Sequence, residues 1–321
     1  MPRRVICLRS AIYIPNSKNG DICFLDLSAY LSGKQIEFVE NLSLSKLSSL
    51  GVGGYCRYAV YPKNAEQIFD IYSLCRDNGV AAHVIGKATN TWFADGEVDT
   101  VLIITDRMRK TSLCSDGTVS LQAGAGLTHS IISLAHRGIK LFPSLAGIPG
   151  TVGGALYNNA GAFGASVSDN VLYADVLDTD SGEVMRLCAE DLKLSYRSSV
   201  LHGRKYVLLE CTFATRRSDA ADIMKEIRSA AAARQHRHPK EPSVGSFFKR
   251  NADVIPAYLI DKLGLKGYSI GAAAISERHA GFIINKGGAS AQDVEALASF
   301  VESSIYEAYG VKLLREAEYI G

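Results

Sequence analysis

Gly147-Ile148-Pro149-Gly150-Thr151-Val152-Gly153-Gly154 packs four glycines, a rigid proline and small side chains into eight residues, and Asn158-Asn159-Ala160-Gly161 follows close behind. Backbone amides approach a phosphate closely only where side chains are missing. A purely structural turn rarely needs so many exposed amides in an apolar setting, whereas a large flat cofactor with a pyrophosphate would use them. The surrounding segment, residues 141–164, is too glycine-rich for an ordinary core element and too apolar for a solvent loop.

Upstream, residues 119–121 read as a strand running into Gly124-Ala125-Gly126, and 128–137 as a short helix stopped by Gly138. Asn64-Ala65-Glu66-Gln67 looks like a capping box, followed by apolar Ile68, Ile71, Tyr72 and Cys75 and closed at Gly79. Strands are expected at 56–61 and at 81–85, the second ending on Gly86. Downstream, strands at 172–178, 183–187 and 205–212 precede an alanine-rich helix opened by Ser218 and ending near Arg237, so a domain boundary falls near residue 216. Ser290-Ala291-Gln292-Asp293 caps a last helix whose Val294, Leu297, Val301 and Ile305 form one stripe. Gly310 ends it, and 311–320 reads as a final strand with Leu314, Glu316 and Ile320 on one face.

With 321 residues, the chain has room for two or three domains. Apolar residues at 47% exclude general disorder, and 35 basic against 33 acidic side chains lack the basic excess of a nucleic-acid binder. No apolar run reaches the length of a membrane span. The seven cysteines are scattered singly and odd in number, which fits reduced thiols in the cytosol better than disulfides or a zinc knuckle. Arg3, Arg4, Arg9 and Lys18 give a basic start, but Arg9 interrupts the apolar stretch 5–8, so residues 1–41 read as an extension rather than a targeting segment.

Taken alone, glycine loops are more often tight turns than phosphate sites. Gly124-Ala125-Gly126 has two of the three glycines of a dinucleotide fingerprint and no acidic residue at the expected distance, so a Rossmann site is poorly supported. Gly86-Lys87 lacks the spacing and hydroxyl of a phosphate loop. No Gly-x-Ser-x-Gly elbow is present. His236-Arg237-His238 has no cysteine or acidic cluster at ligand spacing, so no metal is expected.

Several motifs in order resemble one family. The 146–155 segment with Asn159-Ala160-Gly161-Ala162 resembles the flavin loop of UDP-N-acetylenolpyruvoylglucosamine reductases, also called UDP-N-acetylmuramate dehydrogenases. Residues 42–54 resemble the family's opening segment, and Ile85-Gly86-Lys87-Ala88-Thr89-Asn90 its first flavin turn, with Ala88-Thr89 in place of Gly-Ser. Ser195-Tyr196-Arg197-Ser198-Ser199, 244–250, 275–285 and 313–316 complete the set, and the spellings resemble the shorter subtype. At position 318 a glutamate replaces a commonly basic residue.

The resemblance implies an α+β fold: a two-part FAD-binding lobe of the vanillyl-alcohol-oxidase/PCMH type and a smaller C-terminal α/β substrate domain. The expected limits are 1–41 for the extension, 42–215 for the FAD lobe (42–110 and 111–215) and 216–321 for the substrate domain. It implies NADPH-dependent reduction of an enolpyruvyl ether on a UDP-sugar through FAD, in the cytoplasm, in peptidoglycan precursor synthesis, by a monomer with no nucleic-acid or membrane partner. Flavin contacts would come from Gly86, Thr89, Asn90, Gly124, Gly147, Ile148, Pro149, Gly150, Thr151, Gly153, Gly154, Ala160 and Gly161. The catalytic three would be Ser246, Arg197 and Glu316. Arg197 would grip a carboxylate with a charged fork, Ser246 would donate a proton, and Glu316 would steady the substrate carboxylate, as carboxylate or as the protonated acid. Tyr196, Arg237, Lys249 and Arg250 would bind substrate.

On general grounds each has a plainer role. An arginine after tyrosine in a loop usually makes a surface ion pair, a lone serine usually caps a turn, and basic residues usually form a solvated face. Phe247 and Phe248 read as core, and His279 as a structural or flavin-side histidine. Two rival functions remain: another FAD oxidoreductase on the same scaffold, and a non-catalytic nucleotide-sugar binding protein.

Overall fold

Tyr58, Ala59 and Val60 in the strand Tyr55–Tyr61, and residues 100–104 of Glu97–Ile104, are buried without alternation, as in strands covered on both faces. These two strands pair in parallel at the centre of a four-stranded sheet, with Glu37–Ser43 on one edge and Ala81–Ile85 on the other. The helix Ala65–Asp77 crosses between them and buries Ile68, Ile71 and Cys75 against the sheet. Its start follows from local chemistry. The Asn64 side chain accepts from the Gln67 amide at 2.9 Å, while the Gln67 side chain reaches back to the Lys63 amide at 2.8 Å, one residue earlier than a standard capping box. The computed structural model describes residues 11–15, 22–251 and 253–321, with side chains from Leu27 onward. The basic residues Arg3, Arg4, Arg9 and Lys18 and the apolar stretch 5–8 lie outside the described residues.

A second, all-antiparallel sheet follows, in the order Val184–Cys188, Val171–Asp178, Tyr206–Phe213, Val119–Gln122 and Thr111–Leu113. The helix Ala220–Arg237 is capped by Asp219, not by the expected Ser218. It buries Ile223 and Ile227 in the core of this second lobe, so the helix placed after the 216 boundary packs backward onto the preceding unit. A third sheet orders Ser243–Ser246, Phe282–Asn285, Ala273–Ile275 and Ser269–Ile270, all antiparallel, and the helix Ala291–Tyr309 packs on it. The stripe reads as expected: Val294, Leu297, Val301 and Ile305 are all fully buried, each worth about 1.5–3 kcal/mol of transfer free energy. Ser290 and Asp293 form the capping box, and Gly310 adopts a left-handed φ of +66°.

The tail departs from the expected single strand. Only Glu318–Ile320 is regular, and it pairs in parallel with Thr91–Phe93 of the first lobe. Upstream, the Phe247 carbonyl accepts from the amides of both Glu316 (2.8 Å) and Ala317 (3.4 Å). Two donors on one acceptor make a bulge, which breaks the period of two. Leu314 is therefore 60% exposed while Leu313 and Ile320 are buried, so the expected common face of Leu314, Glu316 and Ile320 does not form.

The third lobe is held to the first by polar side chains as well. Asp95 accepts from the amides of Ala291 (3.0 Å) and Gln292 (3.3 Å), an anion at a helix N-terminus. Asn285, buried, donates to the carbonyls of Leu50 and Gly51 and accepts from the amides of Gly287 and Ala289. Replacing it orphans backbone groups on both lobes. Asn285→Ala is expected to lose about 2–4 kcal/mol of unfolding free energy in urea melts. A loss below about 1 kcal/mol would show that these bonds do not join the lobes.

Candidate active site

The strand Ala81–Ile85 delivers the turn Gly86-Lys87-Ala88-Thr89-Asn90 to the mouth of a cleft of about 1090 Å3. Facing it is the 147–154 loop, which ends where Thr151 caps the helix Val152–Tyr157 and accepts from the Gly154 amide at 3.2 Å. The two loops touch. A Cβ on Gly86 would run into the Thr151 hydroxyl, one on Gly150 (φ +124°) would lie 3.0 Å from the Thr89 hydroxyl, and that hydroxyl donates to the Pro149 carbonyl. Ala88 takes a φ of +46°, a left-handed conformation that costs a residue with a Cβ about 1–2 kcal/mol, so the turn keeps the shape a glycine would give it.

Several amides of the second loop are already committed. Gly147 donates to the Thr128 hydroxyl, Ile148 to the Leu145 carbonyl and Gly153 to the Ala123 carbonyl. Among the described residues no acceptor pairs with the amides of Ala88, Thr89, Asn90 or Gly150. Uncommitted amides beside two hydroxyls, where extra Cβ atoms would fill the space, fit a diphosphate. Ala160 and Gly161 line the same cleft.

Gly124 does not. Its amide donates to the Met108 carbonyl at 2.8 Å, and a Cβ there would collide with the Thr105 carbonyl. The absence of a side chain serves a close crossing of two backbones, and its neighbours Ala123 and Ala125 accept from the amides of Gly153 and Val152. Gly124 supports the 147–154 loop from behind and, unlike the other residues expected to contact a cofactor, does not line the cleft.

At the other end, Ser195 and Ser198 exchange backbone hydrogen bonds (3.1 and 3.2 Å), which puts Tyr196 and Arg197 at the tip of a tight turn. Arg197 holds a φ of +53°, where a glycine would be favoured, and such strain in a non-glycine residue tends to mark functional positions. Asn159, which follows the 147–154 loop and its short helix, braces the turn by donating to the Ser195 carbonyl at 3.1 Å. Arg197 Nε meets Glu316 Oε1 at 2.5 Å, with side chains only 22% and 13% exposed. The guanidiniums of Arg197 and Arg250 lie 5.1 and 5.8 Å from the Tyr196 ring centroid. Ser246, Arg237, Arg250 and Glu316 all line the cleft. Lys249 is not among the lining residues. Its amide donates to the Leu314 carbonyl, and its charge acts on Glu316 and His202 from outside the wall.

Comparison with known proteins gives the family. A family model described as the C-terminal domain of UDP-N-acetylenolpyruvoylglucosamine reductase matches residues 237–320, and one described as an FAD binding domain matches 56–187. A reductase of that name from Caldicellulosiruptor bescii is 36% identical over 92% of this chain and 95% of its own length. The chain belongs to the UDP-N-acetylenolpyruvoylglucosamine reductase family. A relative of the same name from Clostridium perfringens is 36% identical over 84% of this chain and 88% of its own. The crystal structure of UDP-N-acetylenolpyruvylglucosamine reductase from Thermus caldophilus superposes with a TM-score of 0.75 at 27% identity, covering 89% of this chain and 99% of that one.

In this reductase-family cleft, several groups escape sequence reasoning. Tyr157 is stacked on His202 at 4.0 Å, and burial together with the charge of Glu318 pushes its phenol up. Arg234 also lines the cleft. The signal for it was present: it falls seven residues after Ile227, on the apolar stripe of its helix. His238 is held down to about 4 by burial and by the charges of Arg234, His279 and Arg237, so it is neutral at physiological pH. Among the described residues no group of three His, Cys, Asp or Glu side chains could hold a metal.

Burial pushes the Glu316 carboxyl above its ordinary range, against the pull of Arg197, Lys249 and Arg250. The folded chain thus holds this proton more tightly than the unfolded one, and stability falls as pH rises from the ordinary carboxylate value through the raised one. Glutamine mimics the protonated acid. The thermal midpoint of Glu316→Gln relative to the parent is expected to be near parity at pH 4 and to rise toward pH 8. A difference that shrinks or reverses over that interval would mean the ion pair outweighs burial.

Proposed function

We propose that this chain reduces the enolpyruvyl ether of UDP-N-acetylglucosamine enolpyruvate to the lactyl ether of UDP-N-acetylmuramate. NADPH and a proton are consumed and NADP+ is released, a step in peptidoglycan precursor synthesis. The observation that carries this reading is the half-buried Arg197–Glu316 pair in the same cleft as the two glycine-rich loops. FAD, when bound by the 86–90 turn and the 147–154 loop, supplies the hydride carrier between the nicotinamide and the vinyl carbon distal to the substrate carboxylate.

The chain's own residues account for the rest. With Nε given to Glu316, Arg197 keeps its Nη atoms for a carboxylate and stabilises the enolate-like charge that hydride addition creates. Its strained turn fixes that fork before substrate arrives. The Ser246 hydroxyl donates the proton to the carbon bearing the carboxylate and is restored from solvent. A serine is a poor acid, so the step depends on Arg197 and Arg250, which line the same cleft, taking up the negative charge. Glu316, with a carboxyl raised by burial, faces the same carboxylate from the other side of the arginine. Arg237, Arg250 and Tyr196 line the region suited to the UDP diphosphate and sugar.

We take the flavin lobe as 42–215 together with the helix that packs back on it, and the substrate domain as the remainder of 216–321. Nucleotide sugar and NADPH are both intracellular metabolites, which supports a cytoplasmic enzyme, and we take it to act as a monomer.

Anaerobic stopped-flow on Ser246→Ala separates the two halves of turnover. Bleaching of the flavin by NADPH is expected to stay within about twofold of the parent, while return of the absorbance with enolpyruvyl substrate slows by about 100- to 10,000-fold. Equal slowing of both halves, or of neither, would remove Ser246 from the proton transfer.

A further inference from the structure

Arg234 sits on the helix Ala220–Arg237 where an apolar residue would continue the stripe of Ile223 and Ile227. Its Nε and Nη2 are shielded from water and have no hydrogen-bond partner. No carboxylate acts on it, and burial alone lowers its pKa. The guanidinium carbon lies 5.4 Å from the Phe163 ring centroid, and a Cβ on Gly147 (φ +88°) would lie 3.3 Å from Nε. The charge is therefore pressed against the first residue of the glycine loop, inside the same cleft.

A buried guanidinium without a counter-ion is unfavourable for folding, and a hydrophobic side chain of similar volume would serve the fold better. Such a group makes sense when a ligand brings the anion. Nearby protein groups cannot: Arg237 is another cation, and His238 is neutral at physiological pH. Dispersed anionic charge with several acceptor oxygens suits a planar fork, which describes a phosphate or diphosphate. The uncommitted amides at Gly150 and in the 88–90 turn supply complementary donors close by.

The geometry points to Arg234 as the counter-charge for the diphosphate of the flavin dinucleotide, lying against the 147–151 stretch. This rests on the cleft being an FAD site. The nucleotide sugar carries the same chemistry, so the experiment separates the two sources.

Binding of FAD, riboflavin and UDP is measured by fluorescence and calorimetry for the parent, Arg234→Met and Arg234→Lys, alongside thermal midpoints of the flavin-free proteins. For Arg234→Met, a 10- to 100-fold weaker FAD affinity is expected, with riboflavin and UDP within about twofold of the parent. The flavin-free Arg234→Met protein is expected to melt higher than the flavin-free parent, and Arg234→Lys to recover most of the FAD affinity. A merely structural arginine would lower the flavin-free midpoint and leave FAD affinity unchanged, overturning the assignment. Selective loss of UDP binding would also overturn it in favour of the nucleotide sugar. A parent protein that binds neither FAD nor riboflavin would instead contradict the flavin reading itself.

Discussion

A short backbone seam holds the active site together. Lys249 donates to Leu314, Phe247 accepts from Glu316 and Ala317, and Glu318 donates to Asn90, whose side chain in turn donates to the Glu316 carbonyl. Through these bonds the tail ties the third-lobe strand carrying Ser246 to the first-lobe turn that faces the 147–154 loop. The adjacent Arg315 anchors the tail to the Ala291–Tyr309 helix, with its guanidinium gripped by Glu295 (2.6 and 2.9 Å) and Glu302 (2.7 and 3.0 Å). Multiple charge-assisted bonds to a rigid helix suit a segment that is not itself regular structure. Glu316 thus owes its position to neighbours on either side in sequence.

Electrostatics then sets what the cleft accepts. Seven cationic side chains line it, Arg197, Arg234, Arg237 and Arg250 among them, against Glu316 and Glu318. The chain as a whole carries a formal charge of only +2, so this is a local concentration rather than a basic protein. Low-dielectric walls focus such a field on anionic ligands. Glu316 is engaged by Arg197, which leaves the remaining cations of the wall to answer a ligand's charge.

Local signals were legible in the sequence. The helices 65–77 and 291–309 announce themselves through caps, stripes and a terminal glycine, all decided within a few residues. The 147–154 loop was also readable, since side-chain-free backbone restricts composition, whereas Tyr196 and Arg197 stood out only through the family resemblance. Long-range pairing was not. The bulge at Phe247 that turns Glu316 inward arises between segments nearly seventy residues apart, and no periodicity within 311–320 encodes it. Gly124 misled for the complementary reason: a glycine required by crossing backbones spells the same as one required by a phosphate. Arg234 was hidden in an alanine-rich helix, although a charge on an apolar stripe is a recognisable conflict between local pattern and burial.

The most direct measurement is the visible spectrum of the FAD-loaded protein, titrated without oxygen first with NADPH and then with UDP-N-acetylglucosamine enolpyruvate. Flavin bands that bleach with one equivalent of NADPH and return with one equivalent of the enolpyruvyl sugar are expected. Bands that bleach but fail to return with that acceptor, or a protein that takes up no FAD at all, would contradict the assignment of this cleft.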